Sequence, residues 1–153
     1  MLTRVSIALC VIMALPSAPA MAVEADQRAV DACKRQSDNF VQISRCLPEA
    51  HVAVRVLGAF DEIYDEAARP VKSKCLERNA DSIAGAYTCV IEAVKAANIL
   101  RAALPEGEAL DDAVFSAVAD QQKFERLMAV RDAARLDFPE QRVWGAGTYH
   151  PYE

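Results

Sequence analysis

Four cysteines, Cys33, Cys46, Cys75 and Cys89, are the side chains of this sequence best suited to covalent chemistry. Twelve, twenty-eight and thirteen residues separate them in turn. Structural zinc sites bring their ligands in close pairs such as C-x₂-C, so this spacing argues for disulfides and against a metal. Pairing within each half would join Cys33 to Cys46 and Cys75 to Cys89, although four cysteines allow three connectivities and a crossed arrangement between two antiparallel helices stays open.

Little else has the residue types for catalysis. Asp61, Glu62, Asp65 and Glu66 surround Tyr64 and can be read as paired carboxylates for acid/base hydrolysis. On a helix, however, Asp61 and Asp65 stand at i and i+4 and make a solvated acidic face. The two histidines, His51 and His150, have no Cys or acidic neighbour at ligand spacing, and His51 reads as a half-exposed helix residue. Asp111 and Asp112 suit the positive end of a helix dipole. There is no G-x-S-x-G, no phosphate-binding glycine loop and no H-E-x-x-H. These residues assign no catalytic site, no metal and no cofactor.

The C-terminal segment Val143–Glu153 holds the sole Trp, Trp144, together with Tyr149 and Tyr152. Two accounts fit. Trp144 folds back and plugs the end of the domain, or the three aromatics anchor a partner, since Trp and Tyr dominate interface energetics.

A compartment follows from the other terminus. Arg4 precedes an apolar run, Val5 to Leu15, broken only by Ser6; Pro16-Ser17 and the small residues Ala18-Pro19-Ala20-Met21-Ala22 come next. That is the order of a secretory signal, with cleavage expected after Ala22. At 11 residues the run is well short of the ~20 that span a bilayer. Leu9 and the position of the run exclude lipidation at Cys10, so Cys10 leaves with the leader. Four cysteines then remain, an even count that in an exported chain implies two disulfides. The expected product is periplasmic or secreted, with no membrane span after cleavage.

The chain has 153 residues, 53% apolar and 25% charged, with a net charge of −5; loss of Arg4 makes the mature protein one unit more negative. Such a balance fits one globular domain and excludes disorder and a nucleic-acid footprint. The divisions expected are a leader over 1–22, a helical domain over 23–142 and the aromatic tail over 143–153.

The elements that must position the cysteines come from helical periodicity and an internal repeat. Cys33-x₁₂-Cys46 is echoed by Cys75-x₁₃-Cys89, and residues 46–59 match 89–102 at six of fourteen positions, Cys, Glu, Leu and three Ala. Cys46, Ala50, Ala53, Leu57, Phe60 and Tyr64 form one stripe at three- and four-residue steps; Cys89, Ala93, Ala96, Leu100 and Ala103 form another. Helices are predicted over about 25–36, 48–68 (with a short helical turn over 40–46), 71–78, 83–104 and 109–136, the last interrupted at Gln121. Arg69-Pro70 should break or kink the chain. No segment alternates like a strand. The fold class is therefore all-α, a four- to five-helix bundle of two helix-turn-helix units stapled by two disulfides.

From about Ala32 to Ala103, the four cysteines and the Ala-rich amphipathic helix after each pair resemble small exported bacterial proteins of the lysozyme-inhibitor LprI type. The segment Phe60-Asp61-Glu62-Ile63-Tyr64 is similar to that family's D-x-x-L-N-x-x-Y in its Asp and Tyr, and departs from it in spacing and in lacking the Asn. The resemblance implies inhibition of lysozyme-like cell-wall hydrolases. The residues themselves point to a non-catalytic, exported helical module that binds another envelope protein, with hydrolysis by the Asp61–Glu66 carboxylates as the remaining alternative.

Overall fold

A computed structural model describes residues 25–105, 108, 110 and 112–138. The described residues form six α-helices and one 3₁₀ turn, with no strand: α1 (Gln27–Gln36), α2 (Phe40–Ile63), a 3₁₀ turn (Glu66–Ala68), α3 (Arg69–Arg78), α4 (Ile83–Ala103), α5 (Ala113–Val118) and α6 (Gln121–Leu136). The expected all-α bundle of two stapled helix-turn-helix units is present, with more helices than the four or five read from periodicity.

The differences have local causes. Pro48 does not start a helix; it lies inside α2, which runs unbroken for 24 residues. Asn39 sets the true start, its side chain accepting from the backbone N–H of Val41 at 2.9 Å and of Gln42 at 3.4 Å. The same helix ends at Ile63, not Ala68, because Tyr64 turns to extended backbone and Asp65 caps the 3₁₀ turn through the N–H of Ala67. Pro70 falls in the first turn of α3, where its missing N–H has no cost, so Arg69-Pro70 opens a helix instead of breaking one. The last predicted helix is two: Asp112 caps α5 and Asp120 caps α6, accepting from Lys123 N–H at 3.0 Å. In the first turn of α4, Ser82 accepts from the Gly85 N–H, and a Cβ on Gly85 would come within 2.8 Å of the Asn79 side-chain oxygen, so a larger residue there requires that side chain to shift.

α2 is the central helix, buried at every position from Ala50 to Leu57 except Arg55. Its Val52, Ala53, Val56, Leu57 and Phe60 meet Tyr87, Val90 and Val94 of α4 and Leu127 of α6 in the main core. A smaller cluster, Ala29 and Cys33 against Ala50 and Val54, seats α1. α6 runs antiparallel to α2: His51 meets Asp137 at one end, and Lys123 Nζ lies 5.6 Å over the Tyr64 ring at the other. The C-terminal end of α4 belongs to this second end, with Asn98 reaching Val118 and the Arg101 guanidinium over the Phe115 ring. By length and composition α4 is apolar enough to cross a membrane, a test that core helices also pass, and in this fold one of its faces builds the core.

Candidate functional site

The cysteines are joined as Cys33–Cys46, tying the end of α1 to the first half of α2, and Cys75–Cys89, tying α3 to α4. This is the pairing within halves; the crossed alternative is not formed. Two disulfides fit an oxidising compartment.

Asp61 and Asp65 do not converge on a shared pocket. Asp61 faces Lys72, which also donates to the Leu57 carbonyl, and Asp65 lies 3.5 Å from Lys123. Both carboxylates are more than half exposed. Tyr64, between them in sequence, turns the other way and stacks on Phe60 at 4.6 Å. Its buried hydroxyl has no hydrogen-bond partner among the described residues, and burial, reinforced by the negative charge of Asp120, pushes its pKa up to about 12. A folded state that holds this proton more tightly than the unfolded chain gains stability below pH 10 and loses it as the pH rises from 10 towards 12. Tyr64→Phe is expected to flatten that alkaline fall and, by removing an orphaned hydroxyl, to leave stability at pH 7 unchanged or raised. Urea titrations of both proteins between pH 8 and 12 measure this; an identical alkaline fall in the variant would show that another group carries it.

His51 corrects the sequence reading. It is 3% exposed rather than half-exposed, and its Nε2 hydrogen bonds the Asp137 carboxylate at 3.0 Å. The ring meets Phe138 edge-on at 5.0 Å, while Nδ1 is buried with no partner among the described residues. Asp26, the N-cap of α1, feels the field of His51 as well, although the Arg28 guanidinium hydrogen bonded at 2.7 Å is the main reason that its carboxyl sits down at about 2. The middle of α2 and the end of α6 thus meet at one imidazole. Local spacing gave no sign of it, because Asp137 is 86 residues away. No group of three or more metal-binding side chains occurs among the described residues.

The C-terminal part of the apolar stripe predicted on α4, from Ala96 onward, faces outward. Tyr87, Val90, Ile91, Val94 and Ala97 turn to the core, whereas Ala96, Ile99, Leu100 and Ala103 lie on the surface, Ile99 at 61% and Leu100 at 41% exposure. Cys89 and Ala93, which open the stripe, are half-buried, and Cys89 packs against the core. The counterparts of Ala93, Ala96, Ile99, Leu100 and Ala103 in the first repeat are Ala50, Ala53, Val56, Leu57 and Phe60, and every one of those is buried. No family model, curated protein or solved structure matches this chain. The aromatic residues Trp144, Tyr149 and Tyr152 singled out for partner binding lie outside the described residues, as do the leader and His150.

A groove of about 350 Å³ opens at the His51 end, lined by Pro48, Glu49 and Val52 of α2, Tyr87 of α4, and Arg135 and Phe138 at the end of α6. Its walls are largely apolar, and its charged groups, Glu49 and Arg135, are exposed. The two surfaces therefore occupy opposite ends of the bundle. Along α4, Tyr87 of the groove and Ile99 of the outer face are 12 residues apart, roughly 18 Å at 1.5 Å per residue.

Proposed function

We propose that this protein is an exported, periplasmic helical module that holds another envelope protein by laying the outer face of α4 against an amphipathic helix of that partner. One observation carries the reading. In the first repeat the stripe Ala50, Ala53, Val56, Leu57 and Phe60 is covered by neighbouring helices of the same chain, while its counterpart on α4 ends in bare Ala96, Ile99, Leu100 and Ala103. A helix apolar on both faces is ordinarily covered on both, and a surface whose equivalent already receives a helix suits a helix. Lys95 and Arg101, exposed on the same part of α4, supply a charged rim. The signal-like N-terminus and the two disulfides support the compartment.

Capture from an envelope extract by the chain Val23–Glu153, compared with the double variant Ile99→Asp/Leu100→Asp, tests the surface. Both side chains are exposed, so the variant should keep its helical content, checked by circular dichroism. Stoichiometric retention of one protein by the parent, reduced about tenfold or more in the variant, is the expected result. Equal capture by the two proteins, or none by either, would sink the proposal.

A further inference from the structure

We propose that the recess over the Cys33–Cys46 disulfide is a thiol-exchange site, where a small carboxylated thiol forms a mixed disulfide with Cys46 and unlatches α1. The recess has a volume of about 430 Å³, within the range of small-molecule sites, and both cysteines line it together with Gln36, Ser37, Gln42 and Arg45. Two of these walls are held in place. The Gln36 amide donates to the Asp81 carbonyl at 3.3 Å, and the Ser37 hydroxyl accepts from the Asn39 N–H at 3.1 Å. Exchange depends on which sulfur an incoming thiolate can reach. Cys33 is 1% exposed whereas Cys46 is half-buried, so Cys46 is the sulfur open to attack. The second disulfide is set deeper: Cys75 belongs to the main core and Cys89 packs against it, while Cys33 and Cys46 belong to the smaller cluster under α1.

The chemistry is a displacement at sulfur. A lone pair of the attacking thiolate forms the new S–S bond to Cys46 Sγ, and the old bond breaks with its electron pair on Cys33 Sγ, which takes a proton from water. A second molecule of the thiol then attacks the outer sulfur of the mixed disulfide, leaving Cys46 as a thiol and joining the two small thiols as their own disulfide. Arg45 is the sole charged side chain among the described residues that line the recess. Its guanidinium favours the thiolate, which is the attacking form, and any carboxylate carried with it. The structural effect is local. α1 contributes none of the described buried residues of the main core; its Ala29 and Cys33 sit in the smaller cluster with Ala50 and Val54. A helix of 10 residues seated so lightly loosens once its staple opens, while α2, α4 and α6 stay packed. None of this depends on the outer face of α4.

Reduced glutathione, a tripeptide thiol with two carboxylates, is the probe. The chain Val23–Glu153 with both disulfides formed is exposed to it without denaturant, quenched at intervals with excess N-ethylmaleimide and mapped by peptide. The expected result is a glutathione adduct on Cys46 with a maleimide on Cys33, formed about tenfold or more faster than any opening of Cys75–Cys89. Amide exchange in the opened protein should rise in the α1 peptide alone. In Arg45→Gln the rate with glutathione should fall several-fold at low salt, while the rate with cysteamine, a cationic thiol, should hold or rise. Opening of Cys75–Cys89 first or equally fast would overturn the proposal. So would an adduct mainly on Cys33, no exchange in the folded protein, or equal slowing of both thiols by Arg45→Gln.

Discussion

Replacing Phe60 by alanine should lower stability by about 3–5 kcal/mol, the cost of deleting a core aromatic and leaving a cavity. Phe60 is 1% exposed, lies near the C-terminal end of α2, and carries the stacked ring of Tyr64. Its loss therefore removes two sets of contacts, its own and the surface that holds Tyr64 in place. Relaxation is limited because Val56, Leu57 and Leu127 around the site are already fully packed. Urea unfolding at pH 7 under non-reducing conditions measures the change as a fall in midpoint at constant slope. A loss below about 1 kcal/mol would mean that the ring is not in the packed core.

Removing either disulfide should also cost about 3 kcal/mol on the chain-entropy model, since each closes a loop of comparable length, 13 and 14 residues by sequence separation. Where the damage appears should differ. α3 is 10 residues long, too short to persist alone, and its sole buried side chain is Cys75. In Cys75→Ser/Cys89→Ser the amides of α3 should therefore lose their protection against exchange well before those of α2 and α4. α1 has the same length but buries Ala29 and Ala32 beside Cys33, so Cys33→Ser/Cys46→Ser should loosen it less completely. Hydrogen exchange resolved by peptide separates these outcomes. Uniform loss of protection across all helices in the Cys75 variant would show that α3 is not a separately opening unit.

The architecture was legible because helical periodicity, cap residues and the repeated cysteine pairs are local signals. Cys33–Cys46 and Cys75–Cys89 each join neighbours along the chain, so short-range reasoning reached them. The orientation of α4 was not legible in the same way. Apolar residues occupy both Val90, Val94 and Ala97 and the stripe through Ala96, Leu100 and Ala103, and periodicity alone cannot say which face meets α2. The bulkier set, with Tyr87 and Ile91, took the interior; the repeat pointed to the other set because it matches the stripe of α2. His51 was misread for a different reason. Its partner is brought in by tertiary packing, and a histidine among valines and alanines has no periodic mark of its own. Helix ends were displaced wherever a polar side chain, Asn39, Asp65 or Asp120, capped a boundary more strongly than the nearby proline or apolar pattern suggested.

The meeting of Asp137 with His51 has a consequence for the order in which the molecule assembles. The two stapled hairpins are closed by contacts between near neighbours, whereas this contact must bridge 86 residues, and loop-closure entropy grows with that gap. The hairpins are therefore expected to condense early, and the seating of α6 along α2 to come after the rate-limiting barrier. Interactions formed after the barrier govern how fast a protein comes apart rather than how fast it forms. The buried His51 imidazole, held against Asp137, would then act on the lifetime of the folded state, releasing α6 when it lets go.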